Sequence, residues 1–502
     1  MAEKLLIIHG YSDGSTSFTG LGEFFIAQGI YKREHVFFLD YSSMDDQATF
    51  EDFADKLDND HRTRLGNERV DVACHSTGSL VVRAWLALHA QRNKRRGLAG
   101  VPCPVDRLLC FAPANFGSDL AAMGQSFLGK FRSTFFNSNS HKQDFLESGK
   151  TVLQGLEPAS PFQWKLSWLD LYDAATYFSP DPNRPEHQRC YPFVFAAGEA
   201  YGGVEGKLLK PRSAYGTDGT VRIAGTSLNT RACTLDFREA GPNLMWWKEV
   251  KHGEVPWAVF AGFNHGSIIN PQQAGFSGEH GPGTMAVKAL KEVTDLASYQ
   301  AMAAAFTKEC ETNYTMMPAD RRDAYQQFFF VVRDDVDQDV EDYFIDFFVA
   351  TRDGKTHRDL TVYFDENFGS HVTRHSEKKA NRVLWMNCAR LHEFWSELTR
   401  HDAVLMLEIN GASSLPDVHY ETSRFVAFDP KADLAPGEPW LLRPNTTTLV
   451  DVVLNRRQAD QLLVIKDCSL TVVVESAEVA AEPLSGRAEL VVPERKLDAA
   501  GV

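Results

Sequence analysis

From Lys4 onward the chain alternates between short apolar runs and amphipathic stretches. Leu5 to Ile8 is apolar throughout and ends in His9-Gly10-Tyr11, the pattern of a strand buried on both faces. Phe18 to Gly29 reads as a helix with a glycine stop, and His35 to Tyr41 as the next strand. Phe50 to Leu65 sets Phe50, Phe53, Leu57 and Leu65 on roughly one stripe, which predicts an amphipathic helix. Arg69 to Cys74 alternates and is rich in valine, as a short buried strand is. From Gly78 the apolar positions Leu80, Val81, Val82, Trp85 and Leu86 recur at helical spacing. Val105 to Phe111, Tyr191 to Ala197 and Val255 to Phe260 are further strand candidates, and Met285 to Leu296 is a closing helix. Strands alternating with helices in this order predict a mostly parallel, doubly wound sheet.

Two regions break the pattern. Residues 119–188 carry a crowd of aromatics between two sheet strands: Phe127, Phe131, Phe135 and Phe136, then Phe162, Trp164, Trp168 and Tyr172. From Gln326 the texture becomes short β-rich runs separated by turns. They start at Phe328, Tyr343, Leu360, Val404, Phe425, Thr448, Leu462 and Leu470. That predicts an antiparallel β-sandwich of roughly eight strands over 326–502. Residues 297–325 read as a connector, partly helical in composition.

Composition narrows the function. At 502 residues, two domains are the default. A formal net charge of -15 argues against a nucleic-acid partner, which needs a basic face. The eight cysteines are scattered with no CxxC pair, which reads as reduced, buried thiols. Met1 to Ile8 is too short for a signal peptide, and no stretch reaches the roughly 18 apolar residues of a membrane span. The expected location is therefore cytoplasmic, with export by a signal-less route left open.

The chemistry centres on Cys74-His75-Ser76-Thr77-Gly78. A serine on a sharp strand-to-helix corner is thrust out at the carboxyl end of a sheet, where the helix N-terminus aims free N–H groups. This stretch resembles the nucleophile elbow of the α/β-hydrolases, in their lipase branch, with cysteine replacing the first glycine of G-x-S-x-G. The resemblance spans about residues 1–296. It implies an α/β-hydrolase domain with 119–188 as a lid or cap, Ser76 as nucleophile, and backbone N–H groups of Tyr11 and Thr77 as the oxyanion hole. Pro113-Ala114-Asn115-Phe116-Gly117-Ser118 is similar to a turn that such lipases carry after the next strand. Asp218, in Thr217-Asp218-Gly219-Thr220-Val221, falls where the family holds its triad acid. His265, in Asn264-His265-Gly266-Ser267-Ile268, falls where it holds the general base. Each has a bland reading, as a turn or a structural histidine. The chain order Ser, Asp, His is the order of this superfamily.

The implied function is a serine hydrolase cleaving carboxylic esters of lipids, a lipase or phospholipase A, working at a membrane surface. Alternative readings are an esterase or thioesterase on soluble acyl esters and a catalytically inactive hydrolase-fold binding module. A signal-less secreted antibacterial lipase effector is a weaker one. The chemistry requires no cofactor. Asp334, Asp335, Asp337, Asp339, Glu341 and Asp342 crowd one loop, read as a solvated acidic turn with calcium binding as the alternative. The β domain is a candidate surface for a protein partner.

Overall fold

The computed structural model describes residues 2–10, 18–39, 47–98, 100–121, 150–201, 216–239, 244–318, 324–369, 371–413, 418–431 and 441–458. Strands β1 (Leu5–Ile8), β2 (Val36–Leu39), β3 (Val70–His75), β4 (Val105–Phe111), β5 (Tyr191–Ala197) and β8 (Trp257–Phe260) form a six-stranded sheet. Its order is β2-β1-β3-β4-β5-β8, and every pair is parallel. Side chains alternate between two cores. Leu6, Ile8, Val72 and Cys74 enter one cluster with helices α2 (Phe50–Arg64) and α3 (Gly78–Arg95). Leu5, Ile7, Ala73, Phe193 and Phe195 enter the other with α1 (Thr19–Ala27). Inside the edge strand β2, both faces are buried, so these strands are apolar at nearly every position. The chain runs outward from β1 to β2 and then restarts on the other side with β3. The carboxyl ends of β1 and β3 therefore flank the switch point where doubly wound sheets open a crevice.

The insertion between β4 and β5 is described from residue 150. It forms α4 (Lys150–Leu156) and α5 (Pro161–Asp170). Phe162 stacks on Phe50 at 4.6 Å, and Trp164 tilts against Phe329 at 5.2 Å. These aromatics cement the insertion to the core and to the β domain. Phe127, Phe131, Phe135 and Phe136 lie outside the described residues. Arg83 of α3, fully buried, anchors the same insertion. Its guanidinium donates to Asp170 at 2.7 and 3.1 Å and to the Asn115 carbonyl at 3.1 Å. Burial pushes the Asp170 carboxyl above its ordinary range, and Arg83 opposes that rise. Arg83→Met, which strands this acid, should lower unfolding free energy by about 3–5 kcal/mol, read from the urea midpoint.

The stretch read as a connector is part of the core. After α6 (Pro282–Glu292), Asp295 and Ser298 form a capping box that starts α7 (Leu296–Met316). Its buried stripe, Tyr299, Met302, Ala303, Phe306 and Cys310, lies against Phe193 and Phe195. Among the described residues no helix is long and apolar enough to cross a membrane. The seven described cysteines are free and buried.

The expected C-terminal β domain is present. Its elements are β9 (Tyr325–Asp334), β10 (Asp342–Thr351), α8 (Arg358–Phe368), β11 (His371–Arg374), β12 (Asn381–Asn387), α9 (Leu391–Arg400), β13 (Ala403–Ala412), β14 (Val418–Tyr420), β15 (Ser423–Phe428), β16 (Thr447–Leu454) and β17 (Arg456–Gln458). One sheet, β10-β13-β15, is antiparallel. The larger sheet, in the order β11-β12-β9-β16-β6-β7, differs from the expectation in two ways. First, β16 is parallel to both β9 and β6. Second, β6 (Arg231–Asp236) and β7 (Met245–Trp247) come from the segment before β8, so the two halves of the chain share this sheet. The strand expected at Leu360 is helix α8, and the runs at Leu462 and Leu470 lie outside the described residues. One face of the shared sheet packs Phe329, Val383, Trp385 and Leu449 into the hydrolase-side core. The opposite face packs Phe328, Phe330, Leu384 and Val452 against β10, β13, α8 and α9.

Candidate active site

The corner after β3 is built as the sequence implies. Ser76 sits at φ 53°, in the left-handed region that L side chains rarely adopt. The surroundings hold it there. Ser76 donates its N–H to the Phe111 carbonyl at 3.1 Å, and its own carbonyl accepts from Ala114 at 3.2 Å. Helix α3 then starts directly over the end of β1. A Cβ at Gly78 would stand 2.7 Å from the His9 carbonyl oxygen, so only glycine permits that approach. Cys74, where the resemblance calls for glycine, points into the core. Its Sγ lies 3.6 Å from that of Cys110, its register partner on β4. Burial pushes the Cys74 thiol well up, so it stays protonated and inert.

The structure brings Ser76, His265 and Asp218 together across a separation of 189 residues. The Ser76 hydroxyl lies 2.9 Å from His265 Nε2, and His265 Nδ1 lies 2.8 Å from Asp218 Oδ2. A carboxylate only accepts, so Nδ1 carries the proton and Nε2 is left as the acceptor for the serine hydroxyl. All three side chains are buried. Asp218 Oδ1 accepts from the N–H groups of Thr220 at 2.9 Å and Val221 at 2.8 Å. The His265 N–H donates to the Asp218 carbonyl at 3.0 Å, joining the two loops. Asn264 Oδ1 accepts from Gly266 and Ser267, which closes the turn carrying the histidine.

Thr77, fully buried, precedes the first turn of α3. Tyr11 lies outside the described residues. A Cβ at Gly10 would meet Ser76 Cβ at 3.0 Å, so the end of β1 does reach the nucleophile.

Sequence reasoning missed the support from the β domain. The Tyr325 ring occupies the space a Cβ at Gly216 would need, 2.3 Å away. Gln327, buried, donates to the Phe116 carbonyl at 3.4 Å, and its Oε1 accepts from Trp385 Nε1 at 3.0 Å. Arg222, paired with Asp119 at 2.8 Å, lies 4.9 Å over the Trp385 ring. The loop carrying Asp218 is thus wedged between the exit of β4 and the shared sheet. No local pattern marks such long-range contacts.

The acidic run does not converge on a point. Asp337 pairs with Arg333 at 2.8 Å, Asp339 pairs with Lys378, and Asp334 Oδ1 accepts from the Val336 and Gln338 backbone. Among the described residues no group of three or more His, Cys, Asp or Glu is placed to hold a metal ion.

No protein-family model matches the chain, and no curated protein sequence does either. Among solved structures, phospholipase PlaB from Legionella pneumophila superposes with a TM-score of 0.72 at 22% identity, covering 93% of this chain and 96% of that one. The same phospholipase in complex with thio-NAD gives 0.72 at 20% identity, over 96% and 99%. The mature Bacillus licheniformis lipase BlEst2 gives 0.30 at 15% identity, over 54% and 87%. The first two likenesses extend through the β domain, so this chain shares a whole architecture with them: an α/β-hydrolase fold joined to a C-terminal β domain.

Proposed function

We propose that this α/β-hydrolase-fold chain is a serine hydrolase that cleaves acyl esters of lipids, of lipase or phospholipase A type, through an acyl-enzyme on Ser76. The observation that carries the reading is the hydrogen-bonded series Ser76 Oγ, His265 Nε2, His265 Nδ1, Asp218 Oδ2, which starts from a serine held at positive φ. In the first half-reaction, His265 Nε2 takes the hydroxyl proton while Oγ attacks the ester carbonyl. The N–H groups of Thr77 and Tyr11, assigned by resemblance, stabilise the oxyanion. His265 then gives its proton to the leaving alcohol, and Ser76 holds the acyl group. Water repeats the steps and frees the carboxylic acid.

Phospholipid is the favoured substrate because a phospholipase shares both domains of this chain, the β domain included. The test supplies unilamellar phosphatidylcholine and phosphatidylglycerol vesicles, p-nitrophenyl butyrate and an acyl-CoA in parallel, with fluorophosphonate labelling. Fatty acid should be released from the vesicles and the label should sit on Ser76. Turnover of the butyrate or acyl-CoA alone would move the assignment to a soluble-ester hydrolase. No turnover and no label would leave a binding module.

A further inference from the structure

The residue between Cys74 and the nucleophile faces the general base. His75 ends β3 and is buried. Its Nε2 lies 2.8 Å from the main-chain oxygen of His265. A carbonyl only accepts, so Nε2 carries the proton and donates, which leaves Nδ1 bare. That Nδ1 is buried and has no hydrogen-bond partner; a Cβ at Gly10 would stand 3.3 Å from it. The His75 ring lies 4.7 Å from the His265 ring, tilted at 49°, and 5.7 Å from Phe18. Burial, the neighbouring His265 and His9 at the end of β1 together hold the His75 imidazole well below its ordinary pKa, so it is neutral.

We propose that His75 is a positioning residue for the general base, its Nε2–H holding the His265 main chain in register with Ser76. This rests on the serine-hydrolase reading above. The main chain at residue 265 is held on two sides. Its N–H goes to the Asp218 carbonyl, and its oxygen receives the His75 proton. The first bond ties the base to the acid loop, and the second ties it to the strand carrying the nucleophile. Without the second, residue 265 is free to drift away from β3, and the 2.9 Å contact between Nε2 and the serine hydroxyl lengthens first. His75 gives its one N–H to the His265 main chain and not to Ser76. Its loss therefore slows the proton-transfer steps and leaves substrate binding in place.

The test compares wild type with His75→Gln, His75→Met and His75→Asn on the ester the wild type turns over best. Active sites are counted by fluorophosphonate titration. Glutamine places an N–H at about the reach of imidazole Nε2. Methionine has the length without the donor, and asparagine has the donor without the length. His75→Gln should keep kcat within about fivefold, while methionine and asparagine lower it about 30- to 100-fold per active site, with KM within about twofold, as for a misplaced base. If the methionine variant does not fold, asparagine carries the comparison. Wild-type kcat in the methionine or asparagine variant overturns the proposal. So does a glutamine variant as slow as they are, or a loss confined to KM. A wild type that cleaves no ester overturns instead the hydrolase reading, and this inference falls with it.

Discussion

Replacing Ser76 by alanine should lower kcat about a million-fold, the scale of losing the nucleophile of a serine triad, while the melting temperature stays near wild type. The size of the loss follows from the position of the hydroxyl. Ser76 Oγ is held 2.9 Å from His265 Nε2, the nitrogen that takes its proton, and alanine has no atom to put in that place. The small effect on stability follows from the backbone. Alanine at φ 53° carries the same strain as serine, because both have a Cβ. The main-chain bonds to Phe111 and Ala114 do not involve the side chain. What alanine removes is one hydrogen bond, which leaves Nε2 without its hydroxyl partner, at a cost of about 1 kcal/mol. Initial rates at saturating substrate and a melting curve on the same sample separate the two effects. A variant retaining a hundredth of the wild-type rate would place the nucleophile elsewhere.

The candidate site is legible in the sequence because a triad needs few residues in a fixed order on a common frame. Ser76 follows the apolar run of β3 and His265 that of β8, while Asp218 lies in a polar loop beyond β5, and each stands beside a glycine or another small residue. His75 was visible in the same five residues, yet its partner is a main-chain oxygen 190 positions away, for which sequence carries no mark. The support from Tyr325, Gln327 and Trp385 is hidden for the same reason.

The C-terminal half shows where periodicity misleads. Leu360, Val362 and Phe364 alternate with Thr361 and Tyr363, as a half-buried strand does. In the fold the buried positions are Leu360, Phe364 and Phe368, one helical face, while Val362 is 46% exposed. Leu360, Phe364 and Phe368, four residues apart, fit both periods, and the exposed Val362 is the position that separates them. Parallel pairing of β16 with β6 and β9 was likewise out of reach. An alternating strand does not name its partner, and β6 precedes β16 by more than two hundred residues. The connector carries the helical period, with Tyr299, Met302, Phe306 and Cys310 three or four residues apart, but the alanines between them dilute the contrast between its apolar and polar faces.

Asp218→Asn should lower kcat about 10⁴-fold at neutral pH with little loss of stability. The argument turns on which way the amide faces. Asp218 Oδ1 accepts from two backbone N–H groups, of Thr220 and Val221, and an amide nitrogen there would set donor against donors. The asparagine oxygen therefore keeps that place, and its NH2 group takes the place of Oδ2, facing His265 Nδ1. A donor there requires Nδ1 to accept, so the imidazole proton moves to Nε2. The nitrogen next to Ser76 then presents a proton to the hydroxyl and has no lone pair with which to take one. The imidazolium that forms during turnover also loses its carboxylate. Neither effect disturbs packing, because the two backbone bonds survive and asparagine matches aspartate in shape. Asp218→Ala serves as the contrast. It leaves the buried Val221 N–H and the part-buried Thr220 N–H without their acceptor, at about 1–3 kcal/mol for the buried one, so it should lose both activity and stability. The decisive comparison is kcat beside the urea midpoint for the two variants. If asparagine is as unstable as alanine, the carboxylate holds the loop together, and the loss of rate says nothing about the tautomer. If asparagine is stable and fully active, Asp218 is not the group that sets the proton on His265.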